Sequence, residues 1–306
     1  MDATRRDLLK AAVGAGAACL LPAGRPAAQP GSLIERPIPS TGERVPVIGV
    51  GTARRWEAVP TSTDRATLRE VLRRFAARGG RVIDTAPSYG AAEEVAGELV
   101  ADLGVRASLF LATKVGATGR QGGIEEIEAS FRRLRTVRID LIAVHNLRDT
   151  ATQLQTLRAL KEGGRIRYVG ITTSSPKQYA DFERTMRAET LDFIQVDYAL
   201  DRRDAAASIL PLAADRGVAV MINVPFGRGR LFQAVQGRAL PPWASEFDCA
   251  SWAQFFLKYI VSHPAVTCCV PGIARVEYLL DNLGAAEGRL PDVATRRRME
   301  AFIDRL

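Results

Sequence analysis

An α/β chain folded as a (β/α)8 TIM barrel is what this sequence predicts, on three observations. Eight short apolar runs alternate with amphipathic helical stretches over about 260 residues, the pattern a barrel of this kind needs. The GxGxxG fingerprint that a doubly wound open sheet would carry after an early strand is missing, and Gly49-Val50-Gly51 does not complete it. Four polar residues with chemical potential fall at or just beyond consecutive strand ends, where barrel enzymes keep their sites.

The elements follow in order. Residues 33–52 read as an N-terminal β-hairpin turned at 40–43, leading into a strand at 47–51. A helix at 63–78 places Leu68, Val71, Leu72 and Phe75 on one face. Strand 81–83 ends on Asp84, and the run RVIDTAPSYGAAEEVAGE continues through Tyr89 into a helix at 91–101. Strand 109–114, helix 124–135, strand 140–145, helix 150–162 and strand 166–172 come next. Pro176 opens a helix from the first helical position, where its missing N–H costs nothing. Strand 193–196, helix 204–214 and strand 218–223 complete seven units. The eighth has a longer loop, a helix at 251–261, a strand at 266–270 and a helix at 277–285. An extra helix at 293–306 ends the chain.

Composition agrees with one sizeable globular domain: 306 residues, 47% hydrophobic and 25% charged. The formal net charge of +8 is spread along helices without interleaved aromatics. It reads as solvated faces, or as a surface for an anionic cofactor, and not as a nucleic-acid interface. Cys249, Cys268 and Cys269 show no metal-ligand spacing and read as small buried hydrophobes, so no metal is expected. Residues 4–10, TRRDLLK, precede an apolar run of about a dozen residues, too short to span a bilayer. Arg5-Arg6 followed by Leu8, Leu9 and Lys10 resembles a twin-arginine export signal. Cys19 raises a lipoprotein reading, but Gly16 stands where a lipobox wants Leu. The expected organisation is therefore a signal segment at 1–30, cleaved near Ala28 and leaving no stable membrane anchor, and a barrel domain at 31–306. The expected location is the periplasm, with the twin-arginine machinery as a partner and a cytoplasmic protein as the fallback.

The candidate constellation is Asp84 and Tyr89 from the second strand end, Lys114 from the third and His145 from the fourth. A free phenol has a pKa of about 10, too high for an efficient proton donor at neutral pH. A nearby ammonium favours the phenolate, a carboxylate would keep that ammonium charged, and an imidazole can orient a carbonyl oxygen. Together they could protonate a carbonyl as hydride reaches its carbon. Singly, each has a bland role: helix cap, turn aromatic, snorkelling lysine, structural histidine.

With these residues in view, the chain resembles the aldo-keto reductase family from Pro46 to Ala286. The matching stretches are VIDTAPSYGAAEEVAGE, LFLATKVG, IDLIAVHN, GRIRYVGITTSS, FIQVDYAL, VPFGRGRLF and HPAVTCCVPGIARVEYLLDNLGAA, in the family's order. The resemblance implies Tyr89 as general acid, Lys114 lowering its pKa, Asp84 pairing Lys114, and His145 orienting the substrate. The implied reaction is reduction of an aldehyde or ketone by NADP(H), or its reverse, with NAD(H) as the alternative cofactor.

Cofactor positions carry over singly. Thr172, Thr173 and Gln195 match the nicotinamide carboxamide contacts, and Gly51 and Thr52 the loop near the nicotinamide, which Asp84 also approaches. Phe226, Gly227, Arg228 and Gly229 match the loop over the pyrophosphate. Gly272, Arg275 and Asn282 match the adenosine-phosphate segment, with Arg275 as the cation for the 2′-phosphate. Two positions depart from the pattern: Asn223 stands where many members stack an aromatic on the nicotinamide, and Gly272 where many place a basic residue. Trp56, His145 and the loop 228–243 are expected to shape the substrate pocket. A cofactor-binding barrel that turns nothing over is the competing reading.

Overall fold

The computed structural model describes residues 32–58 and 61–306; the expected signal segment, with Arg5, Arg6 and Cys19, lies outside them. Strands β1 (Glu35–Pro37) and β2 (Arg44–Pro46) pair antiparallel, forming the expected N-terminal hairpin. Eight parallel strands then line up in chain order: β3 (Val50–Gly51), β4 (Val82–Asp84), β5 (Phe110–Val115), β6 (Ile139–His145), β7 (Ile166–Thr172), β8 (Phe193–Asp197), β9 (Ala219–Asn223) and β10 (Cys268–Cys269). Parallel bridges Ile48 to Cys269 and Gly51 to Gly272 join the first and last strands and close the barrel. At that seam the expected strands 47–51 and 266–270 shorten to two residues each. The backbones meet closely there: a Cβ on Gly51 would lie 2.6 Å from the Val270 carbonyl oxygen.

Helices α1 (Ser62–Ala77), α2 (Ala92–Leu103), α3 (Arg120–Arg133), α4 (Thr150–Glu162), α5 (Tyr179–Ala188) and α6 (Ile209–Asp215) connect the strands in turn. Thr61 and Asp64 make a reciprocal capping box that starts α1. Two expectations change here. Pro176 opens only a 3-10 turn before α5, and the helix expected at 204–214 splits at Ser208, whose φ of −142° is not helical. The long eighth loop contains α7 (Arg230–Ala234) and a 3-10 segment at Pro242–Phe247 that the sequence did not suggest. Helices α8 (Trp252–Val261), α9 (Val276–Gly284) and α10 (Val293–Ile303) follow, and α10 stops three residues before the chain end.

Two apolar layers result. Strand side chains of one parity pack outward against the helices, and those of the other parity fill the barrel interior with Val82, Phe110, Leu141, Tyr168, Phe193 and Met221. The hairpin plugs the amino-terminal end of that interior, adding Ile38 and Val45. Its Glu43 accepts a 2.7 Å bond from the Tyr168 hydroxyl and pairs with Arg81 and Arg167. With that end sealed, the interior is reached from the carboxyl-terminal rim.

Candidate active site

Period-two alternation decides which residues reach the rim from inside. On β4 the interior parity runs Val82, Asp84; on β5 Phe110, Ala112, Lys114; on β6 Leu141, Ala143, His145. The same parity carries Thr172 on β7, Gln195 on β8 and Asn223 on β9. The packed interior therefore ends in a polar floor contributed by six strands.

Lys114 is the centre of that floor, 1% exposed, and its Nζ donates to Asp84 Oδ1 at 2.8 Å and to the Thr85 carbonyl at 2.7 Å. Burial works against its charge, but Asp84 and the neighbouring Tyr89 outweigh it, and the lysine pKa is raised. Lys114 Nζ lies 5.2 Å from the centroid of the Tyr89 ring. Burial is the largest influence on that phenol and raises its pKa; the Lys114 charge pulls it down without prevailing, and Asp84 adds to the rise. The expectation of a phenol whose pKa is lowered overall is thus corrected. Desolvation favours the neutral acid more than one ammonium, itself neutralised by Asp84, favours the phenolate.

His145 meets Tyr89 edge to face, with ring centroids 6.0 Å apart, and its Nδ1 lies 3.5 Å from Ser88 Oγ. Burial and then Lys114 lower its pKa to about 4, so the ring is neutral at physiological pH. His263 behaves alike, lowered to about 4 by burial, then Arg296 and Arg36. The sign of the consequence is fixed. Between the ordinary 6.5 and about 4, the unfolded chain binds protons that the folded one refuses, so stability falls as pH falls through that window. Denaturant midpoints measured across it should decline toward pH 4, and the decline should shrink in His263→Gln; a midpoint flat with pH would contradict this.

A cavity of about 570 Å3 opens above the floor. Asp84, Tyr89, His145, Thr172, Gln195 and Asn223 line it, with Gly51, Gly272, Phe226, Arg228 and Gly229. Other expected contacts lie elsewhere. Thr52 is buried and donates to the Asp84 carbonyl. Thr173 is buried, its hydroxyl held by Gln178 Oε1 at 2.6 Å. Gly227 sits in a 3-10 turn facing Asp201, and Asn282 is buried in α9. Arg275 lies in a neighbouring depression beside Glu277, 3.7 Å away. Trp56 is not a pocket wall either: it is 1% exposed, its indole donating to the Ile273 carbonyl at 2.8 Å.

Phe232 lines it from the loop 228–243, as expected, and the cavity also takes residues the sequence did not single out: Arg54, Arg55, Glu57, Ser88 and Asn146 among them. The first two had a signal, an arginine pair directly after the Gly51-Thr52 loop. Arg55 covers the space that Gly272 leaves, its Cγ being 3.3 Å from where a Cβ on Gly272 would stand.

Asn223 donates through Nδ2 to the Thr173 carbonyl at 3.1 Å, while its buried Oδ1 has no partner. Gln195 accepts from Thr172 at 3.0 Å, and its Nε2 faces only the Met221 sulfur, a weak acceptor. The floor thus keeps an unused acceptor and a weakly used donor on the adjacent strands β9 and β8.

Comparison with known proteins gives this arrangement a family. The Aldo/keto reductase family matches residues 47–300. The aldo-keto reductase YhdN of Bacillus subtilis is 31% identical over 212 residues, covering 63% of this chain and 62% of that protein's length. The methylglyoxal reductase YeaE of Escherichia coli is 30% identical over 257 residues, covering 80% of this chain and 87% of its own. Among solved structures, an aldo/keto reductase from Klebsiella pneumoniae in complex with NADP and acetate superposes with a TM-score of 0.72 at 24% identity, over 86% of this chain and 93% of that one. Its fold is the barrel described above. The chain belongs to the aldo/keto reductase family.

Proposed function

We propose that this protein is an NADPH-dependent reductase of aldehydes or ketones in which Tyr89 delivers the proton. The observation that carries the reading is the buried Asp84–Lys114 pair beneath a cavity-facing Tyr89, with neutral His145 against its ring. The names of the relatives support the reaction class, and the NADP of the Klebsiella pneumoniae structure supports the cofactor.

The residues present fit that cofactor. Asn223 Oδ1, buried without a partner, and Gln195 Nε2, bonded only to sulfur, could accept from and donate to a carboxamide. Asn223 would then hold by hydrogen bonding a ring that has no aromatic there to stack on. Gly51 and Gly272 line the cavity with bare backbone, and Arg55 and Arg228 line it as cations for phosphate. When bound, NADPH supplies hydride to the carbonyl carbon.

The protein's part is to hold the carbonyl oxygen between a phenol and an imidazole. Neutral His145 can donate to that oxygen without competing as the acid. Tyr89 transfers its proton as negative charge gathers on the oxygen, and the phenolate left behind faces Lys114, whose charge Asp84 maintains. Proton and hydride together convert the carbonyl to an alcohol.

Absorbance of NADPH, followed with the full-length protein against a panel of aldehydes, ketones and sugars, tests the proposal. Substrate-dependent oxidation is expected. Nucleotide binding with no oxidation across the panel would overturn it in favour of a barrel that only binds the cofactor. We also propose, from residues 4–30, that the chain is exported folded with nucleotide already bound. A periplasmic preparation that holds no nucleotide and is not stabilised by adding it would sink that idea.

A further inference from the structure

A second cavity, of about 370 Å3 and open to solvent along the exposed Ser88, Asn146 and Arg148, adjoins the first at His145. The two share Ser88, His145 and Asn146 in their walls, so they meet at the imidazole beside Tyr89. The other end of the first cavity holds Gly51, Gly272 and Arg228, the part fitted to nucleotide. What remains for the substrate is the Tyr89 and His145 end and the chamber behind it.

One wall of that chamber, position 116, has no side chain. A Cβ on Gly116 would stand 3.6 Å from His145 Cβ and 4.0 Å from Nδ1, ordinary contact distances. A Cβ is therefore tolerated there, and a side chain extending from it would take up space beside His145. The walls carry no large apolar group; beyond Gly116 they are made by Pro87, Ser88, Asn146, Glu126 and Arg148.

The two charges in it are not equivalent. Glu126 Oε2 accepts from the backbone N–H groups of Gly116 and Ala117 at 2.6 and 2.9 Å, so this acid is spent on shaping the loop. Arg148 has no carboxylate within ion-pair distance among the described residues. Its backbone is held firmly all the same. Asn146, Leu147 and Asp149 have φ values of 53°, 56° and 49°, a conformation costly for residues with side chains. Neighbouring elements maintain it: Gln178 Nε2 donates to the Asn146 carbonyl at 2.9 Å, Thr150 Oγ1 to the Leu147 carbonyl at 2.8 Å, and the Gly119 N–H to Asp149 at 2.7 Å. The loop that follows His145 is built to present Arg148 to the chamber.

We propose that this second chamber receives the tail of the substrate, and that the substrate is an aldehyde or ketone bearing a carboxylate that pairs with Arg148. The inference rests on the reductase reading and adds the substrate class to it. A monoanion suits the chamber better than a phosphate dianion, because Glu126 contributes a negative charge to the same walls.

The test compares 4-oxobutanoate with its methyl ester, using full-length protein and NADPH. The acid is expected to show about tenfold higher kcat/KM, carried mainly by KM. In Arg148→Met the acid-to-ester ratio should fall to about one, and added salt should erode it in the wild type. Gly116→Leu should raise KM for the acid. A wild-type ratio near one, or a ratio that survives Arg148→Met, overturns the proposal. A calorimetric titration of butanoate against butanamide, in the presence of NADP+, gives a readout without turnover. Tighter butanoate binding that disappears in Arg148→Met supports the chamber even where no carbonyl is reduced, in which case the reductase reading falls alone. Equal binding of the two in the wild type overturns the chamber alone.

Discussion

Replacing Tyr89 by Phe is expected to lower kcat/KM for carbonyl reduction by about 10²–10⁴-fold, the range a positioned general acid contributes. The substitution removes one oxygen and keeps the ring, so the edge-to-face contact with His145 and the Lys114 contact with the ring survive. Nucleotide affinity, followed by fluorescence titration, is therefore expected to stay near the wild-type value while turnover collapses. His145 cannot take over the acid's task. Its pKa of about 4 leaves almost no imidazolium at neutral pH, so the residual rate must draw its proton from water. The raised phenol pKa makes a companion prediction. The donor should stay protonated well into the alkaline range, and the wild-type reduction rate should not fall as pH rises past neutrality. Turnover in Tyr89→Phe within about threefold of wild type would remove Tyr89 from the chemistry.

The parity of the strands explains why so much of this site could be read in advance. Asp84, Lys114, His145, Thr172 and Asn223 lie on interior positions at or next to a strand end, and Gln195 on an interior position in the middle of β8. Alternation and strand boundaries are local properties of the sequence. The residues misplaced are those whose position depends on loops. Thr52 and Thr173 each follow a strand end closely, and each spends its hydroxyl on a neighbouring segment far away in sequence or across a turn. Trp56 looked like a pocket wall because aromatic loop residues often are; here its ring is drawn into the core by a carbonyl 217 residues away. Arg148 had no distinguishing mark in a chain with 42 lysines and arginines. What sets Arg148 apart is a left-handed loop geometry and a glycine opposite, neither visible in composition. The sign of the Tyr89 shift was missed for a related reason. Charge partners can be guessed from residue types, but the depth of burial that outweighs them needs the assembled barrel.

Lys114→Met should be the most damaging single change in the floor, and its effects on stability and on turnover should separate. Methionine fits the space of the lysine stem, but Asp84 is then left buried and charged with no ammonium, and the Thr85 carbonyl loses its donor. Breaking one side of a buried pair typically costs about 3–5 kcal/mol, so a fall of that order is expected in the denaturant-derived stability at pH 7. An unpaired buried carboxylate is relieved by taking up a proton, so the gap between variant and wild type should narrow as pH is lowered; lost packing alone would give a gap independent of pH. Adding Asp84→Asn removes the stranded charge and should restore most of the stability, since replacing both partners is far gentler than removing one. It should not restore turnover, because the phenolate formed at Tyr89 would still face no positive charge. A double variant that regained both would reduce the Asp84–Lys114 pair to scaffolding. One that regained stability alone would show that the barrel keeps a buried charge beneath its phenol for the reaction and not for the fold.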